Sequence, residues 1–288
     1  MSAEGYLRSD MASAWAGQRP VEAAFTLEGE VFRDVPGRRT MKVRIAEQSY
    51  FVKLHYGVGW REVVKNWLQF KIPVIGARNE YEACVGLQRS GITAPLVAAF
   101  GESQGSIAKR RSFVLCDVLK DYTSLEDVTN EWFDHPPAAQ TRHRLLYAVA
   151  RFARRFHQAG YIHRDFYICH LLGADHSLDG DAIELAVLDL HRARHFQQIP
   201  ARWLKRDLAA LLYSTLDLGY TSRDWLRFVA LYSGRPLREE LEQNTAFWQS
   251  VILRAEKLYR QGQRKGLVKG LYRRPYRELN STRAKGQS

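Results

Sequence analysis

The strongest constraint on what this chain can become is an ordered run of local signals: an apolar-periodic helix, a glycine stop, a charged loop, and a short apolar strand ending in aspartate. Residues 145–157 place Leu146, Val149, Ala150, Phe152, Ala153 and Phe156 at the spacing of a helix with one buried face. Gly160 follows where a helix C-cap falls. The loop then reads His163-Arg164-Asp165-Phe166-Tyr167-Ile168-Cys169-His170, and residues 183–188 read as a strand that runs into Asp189, 24 positions after Asp165. Two loop carboxylates, each at the end of a regular element, suit phosphoryl transfer. That chemistry needs one carboxylate to orient the acceptor hydroxyl and take its proton, and another to hold the magnesium that neutralises nucleotide phosphates.

Protein kinases carry these groups in H-R-D-x-x-x-x-N and D-F-G, and other parts of the chain fall in the same order. Residues 31–33, 41–45 and 50–54 alternate as an antiparallel three-strand meander, with Pro36-Gly37 as one turn. Lys53 on its third strand is placed to grip nucleotide phosphates and requires a carboxylate partner on the next helix. Glu80 and Glu82 both qualify, and the residues alone do not separate them. A glycine-rich loop is missing. The turn between the first two strands carries Arg38 and Arg39, whose charge would replace the close backbone approach of such a loop. Residues 113–119 form an apolar strand leading to a hinge, where backbone groups from Asp117 to Leu119 would bind adenine. Ser124 is placed to cap a short helix. Asp207, at the opening of a buried helix, is placed either to tie down the catalytic-loop backbone or simply to sit at a helix N-terminus.

A chain of 288 residues with 45% hydrophobic content can bury a substantial core, and the mixture of helical and strand-like patterns sets α+β as the fold class. The chain shows no signal-peptide core and no run of eighteen apolar residues, so a cytoplasmic protein is expected. Cys84, Cys116 and Cys169 lack metal-ligand spacing and read as reduced packing residues. A net charge of +12 and a pI near 9.7 point to an acidic partner or surface. Zinc-finger spacing, an RNP-like aromatic motif and a clear helix-turn-helix are all missing, which weighs against nucleic acid.

With the loop and strand-end motifs, residues 29–33, 38–40, 49–53, 73–77 and 221–224 make the chain resemble the lipopolysaccharide core heptose(I) kinase family of Gram-negative bacteria, from about residue 10 to about residue 240. The resemblance implies a protein-kinase-like two-lobed fold and a membrane-peripheral, cytoplasmic enzyme. It would move the γ-phosphate of ATP to the first heptose of the inner core, with Mg2+ as cofactor. It also favours Glu80 over Glu82. On this reading Asp165 is the base, Asp189 holds Mg2+, Lys53 with Glu80 grips phosphates, and Arg164, His163, His170 and Arg192 shape the loops.

Departures from ordinary protein kinases also carry meaning. His170 stands where kinases have asparagine, and imidazole suits a hard cation poorly, so a single metal with His170 as hydrogen-bond donor is expected. Leu190 and His191 replace the phenylalanine and glycine of D-F-G, which disfavours a switchable loop. The missing A-P-E points away from a protein acceptor. A binding scaffold without turnover and a protein kinase stand as the alternative functions.

The expected organisation is an N-lobe at 1–118, with a membrane-facing insertion at 56–79, a C-lobe at 119–281 that carries the catalytic loop and metal site, and a disordered tail at 282–288. Residues 60–73 line up Trp60, Val63, Val64, Trp67 and Leu68 on one helical face flanked by Arg61 and Lys65. This suits either an interfacial helix or a core-facing one. From Phe247 onward, apolar and basic residues alternate, either as a juxtamembrane surface or as a solvated tail. Candidate partners are the lipopolysaccharide core–lipid A acceptor, the anionic inner-membrane surface and an acidic protein such as acyl carrier protein.

Overall fold

The computed structural model describes residues 5–57, 76–104 and 110–268. Residues 58–75, most of the expected insertion, lie outside these, as do the basic residues beyond 268 and the tail. The chain divides into two compact units, Met1–Lys120 with Val187–Arg194, and Asp121–Ala186 with His195–Ser288.

The first unit is built on a six-stranded sheet. Its strands are β1 (Gly5–Leu7), β2 (Glu30–Val35), β3 (Arg38–Ile45), β4 (Gln48–His55), β5 (Val97–Glu102) and β6 (Ser112–Asp117), in the order β1-β5-β6-β4-β3-β2. The expected meander is β2-β3-β4, and Pro36 and Gly37 form the two-residue connection that brings Val35 opposite Arg38. Strand alternation gives β3 and β4 two faces. Met41, Val43, Tyr50, Val52 and Leu54 face a core closed by Met11 of α1 (Ser9–Ala14), its C-cap residue Trp15, and Val21 and Ala24 of α2 (Pro20–Phe25). Arg38, Lys53 and His55 alternate with these core residues and so lie on the other face. Helix α3 (Arg78–Arg89) buries Glu80, Ala83, Cys84 and Leu87. The cysteines are free; a hydrogen bond with Cys116, together with burial, holds the Cys84 thiol well above its usual pKa.

The second unit is mainly helical. It holds β7 (Tyr122–Ser124), α4 (Leu125–Val128), α5 (Ala139–Gln158), β8 (Tyr161–Ile162), β9 (Leu171–Ala174), α6 (Asp175–Leu178), α7 (Ala201–Thr215), α8 (Ser222–Ser233) and α9 (Leu237–Arg264). Ser124 caps α4 by accepting the Glu126 N–H. Helix α5 is the expected apolar-periodic helix, extended by a turn and a half at its N-terminus, and Gly160 follows it with φ 83°. Asp207 lies in the second turn of α7 rather than at its start. Most of the apolar stripe of the C-terminal stretch is turned inward: Trp248, Val251, Ile252 and Tyr259 of α9 are buried, and α9 packs on α7 and α8. That stripe is therefore core, not membrane-facing surface. Among the described residues, no helix is long and apolar enough to cross a membrane.

The first unit runs to Lys120, two residues past the expected boundary, and it takes in a later segment as well. Residues 187–194, expected with the second lobe, cluster with the first unit. The reason is local: strand β10 (Leu185–Val187) ends with the Val187 N–H on the Thr93 carbonyl, 3.0 Å away, and the following turn packs against α3.

Candidate active site

In the first unit the charged groups converge on Asp189. Lys53 Nζ lies 2.5 Å from Glu80 Oε1 and 2.9 Å from Asp189 Oδ1. His191 Nδ1 lies 2.8 Å from the same Asp189 oxygen, and an Arg38 terminal nitrogen lies 3.5 Å away. Asp189 adopts a left-handed conformation (φ 57°, ψ 52°) as the cap of a 3-10 turn, Leu190–Arg192. Such a conformation costs energy in a non-glycine residue and concentrates at functional sites. Burial opposes ionisation of Asp189, but the His191 hydrogen bond and the Lys53 charge outweigh it and hold the carboxyl well below the usual range. Burial also opposes the Lys53 ammonium, yet Glu80 and Asp189 raise its pKa above the ordinary lysine value. Both groups are charged at neutral pH. His55 sits on the same face; burial first, then the charges of Arg38 and Lys53, push its pKa down to about 3.

The choice between the two glutamates falls to Glu80. It is buried on α3, whereas the Glu82 side chain is 59% exposed and pairs loosely with Arg78. The two arginines expected to act together are separated. Adjacent strand residues point to opposite faces, so Arg38 reaches Asp189 while Arg39 binds Asp34 across the hairpin at 2.7 Å. Asp117 ends β6, and its N–H is committed to the Leu96 carbonyl at 2.8 Å. That N–H, one of the groups expected to bind adenine, is thus already engaged, and Leu119 lies two residues on. Arg8 forks onto the Asp117 carboxylate, a contact the sequence did not signal.

In the second unit Asp207 holds the backbone of the loop that begins at His163. Its carboxylate, fully buried, accepts the His163 N–H at 2.6 Å and the Arg164 N–H at 2.8 Å. The Arg206 Nε donates to the Arg164 carbonyl at 3.2 Å, and the Arg164 guanidinium lies 5.4 Å from the centre of the Trp203 ring. Arg164 has φ 73°, the second left-handed non-glycine residue among the predicted site residues. Beyond it the loop turns back on Asp165, whose carbonyl accepts from the Tyr167 N–H at 2.9 Å and from His170 Nδ1 at 2.7 Å. A carbonyl only accepts, so in this contact His170 Nδ1 carries the proton and acts as the donor. The buried His163 ring stacks on His170, with centroids 5.3 Å apart, and Phe166 stacks on Phe156 of α5.

Of the predicted residues, the structure gathers Lys53, Glu80, Arg38 and Asp189 in one unit, and His163, Arg164, Asp165 and His170 in the other. The contribution of His191 to Asp189 was missed; its only sequence signal is its place two residues downstream.

A meander lysine paired with a helix glutamate and a strand-end aspartate, alongside a loop hung from a helix aspartate, marks a phosphotransferase of the protein-kinase-like α+β class. Residues 22–232 match the Lipopolysaccharide kinase (Kdo/WaaP) family, and the chain belongs to that family. Lipopolysaccharide core heptose(I) kinase WaaP of Pseudomonas aeruginosa is 42% identical over 253 residues, covering 88% of this chain and 94% of the relative. The enzyme of the same name from Escherichia coli is 37% identical over 262 residues, covering 91% and 99%. The solved structure "WaaP in complex with acyl carrier protein" superposes with a TM-score of 0.77 at 36% identity, covering 89% of this chain and 99% of that one.

Proposed function

We propose that this chain is an ATP-dependent kinase that phosphorylates the first heptose of the lipopolysaccharide inner core. The observation that carries this reading is the Lys53–Glu80–Asp189 cluster, in a chain whose relatives bear that activity in their names. Lys53, held by Glu80, grips the nucleotide phosphates, and Arg38 adds charge on the same face. Asp189 supplies an ionised oxygen donor of the kind Mg2+ takes, whereas the His170 imidazole is a poor match. Bound Mg2+ supplies charge neutralisation of the nucleotide phosphates. Asp165 orients the heptose hydroxyl and accepts its proton. Asp207, through the His163 and Arg164 N–H groups, keeps the loop in that geometry, and His170 fixes the Asp165 carbonyl. Residues 117–119 read the adenine. Arg39, engaged with Asp34, is left without a part in this scheme.

The acceptor is the lipopolysaccharide core–lipid A glycolipid, at the cytoplasmic face of the inner membrane, where a chain of net charge +12 meets an anionic surface. Because a solved relative is bound to acyl carrier protein, we also assign an acidic carrier protein as a partner. The test is transfer of label from ATP to unphosphorylated lipopolysaccharide with Mg2+, beside an Asp165→Ala control. Label on the glycan with the wild type alone is the expected result. No label, with a competent acceptor and folded protein, would replace this reading by the binding-scaffold one, which the arginine-bearing β2–β3 hairpin in place of a glycine-rich loop favours.

A further inference from the structure

We propose that Arg8, which precedes the sheet's meander, is a positioning residue of the nucleotide site: it clamps the Asp117 carboxylate and so fixes residues 117–119 for adenine. The inference rests on the nucleotide reading given above. Arg8 makes two parallel bonds to Asp117, at 2.7 and 2.9 Å, and two to Asp10, at 2.8 and 2.7 Å. Forked pairing of this type is the strong and directional form of an arginine–carboxylate contact.

The fork is held in place from behind. The Arg8 N–H donates to the Ala98 carbonyl at 2.8 Å, and the preceding residue, Leu7, pairs with Ala99 on the sheet edge. Asp10 in turn accepts from the Tyr50 hydroxyl at 3.2 Å, and Tyr50 stands opposite Asp117 in the β4–β6 register. Gln48 adds a third side-chain donor to Asp117, at 3.2 Å. Asp117 is therefore gripped by its main chain through Leu96 and by its side chain through Arg8 and Gln48, immediately before the chain leaves the sheet. Loss of Arg8 would leave a carboxylate that is only 15% exposed without its principal cation, and the segment would turn to hydrate it. Displacing the 117–119 backbone by a fraction of an ångström misaligns hydrogen bonds to a planar base while leaving Lys53 and Asp165 untouched.

The experiment is equilibrium titration of full-length protein with a fluorescent ADP analogue in Mg2+, together with steady-state kinetics and a thermal melt of each variant. Arg8→Gln should weaken nucleotide binding roughly ten-fold, the scale of one lost charge-assisted bond, and raise the KM for ATP by more than it lowers kcat. Arg8→Lys, which keeps the charge but not the fork, should restore part of that loss. Asp117→Leu should weaken binding comparably, and the double variant no more than the worse single one. Variants that bind nucleotide as the wild type does, or that lose melting temperature and kcat with nucleotide affinity unchanged, would overturn the assignment. A wild-type protein that binds no nucleotide would instead overturn the kinase reading, and this inference with it.

Discussion

At the scale of single residues, three side chains make separable predictions. Asp165→Asn should lower kcat by roughly 10²–10⁴, the range for a lost general base, while a nucleotide titration shows ATP affinity nearly intact; wild-type turnover would remove Asp165 from that role. Glu80→Gln leaves Lys53 bonded to Asp189 but removes a buried counter-charge, so kcat/KM for ATP should drop roughly 10- to 100-fold. His55 supplies a pH signature. The folded protein keeps it neutral down to about pH 3, whereas an unfolded chain protonates it near the ordinary value of 6.5. Between those values the unfolded state binds more protons, so stability falls as pH drops from 6.5 toward 3, by up to about 1.4 kcal/mol per pH unit. His55→Gln should flatten that part of a stability-versus-pH curve; an unchanged slope would show that other groups set it.

At the scale of elements, helix ends and packed faces set the costs. The start of α8 is a capping box in which Thr221 and Asp224 exchange side-chain and backbone bonds. Thr221→Ala should cost about 1 kcal/mol in chemical denaturation. Gly160 is a sharper case: its φ is 83°, and an added Cβ would strike the Phe196 carbonyl oxygen. Gly160→Ala should thus destabilise by more than the roughly 1 kcal/mol that separates glycine from alanine in left-handed backbone. A neutral result would mean that the turn after α5 can shift. In α9, Trp248 is 3% exposed and donates its indole N–H to Glu240. Trp248→Ala should cost roughly 3–5 kcal/mol, which a solvated or membrane-seated stripe would not.

For the whole molecule, charge is the property that reaches furthest. A net +12 predicts binding to anionic vesicles that weakens as salt rises from about 0.05 M to about 0.5 M, as the screening length shortens to a few ångströms. Sedimentation with neutral and anionic vesicles checks this; equal binding to both would move the membrane contact from charge to apolar insertion.

The sequence by itself determined the parts whose signals are local. Helical spacing and a glycine stop marked α5, alternation marked the meander, and the order of lysine, H-R-D loop and strand-end aspartate marked the chemistry. Tertiary structure alone decided which faces and partners those parts acquired. Strand alternation sent Arg38 to Asp189 and Arg39 to Asp34, and residues 187–194 joined the unit that holds Lys53. Strands β1 and β5 and helices α1 and α2 went unread because short segments gain their stability from contacts distant in sequence, not from their own periodicity. Arg8 reaches Asp117 across 109 positions of chain, a separation at which only the folded sheet brings two side chains together.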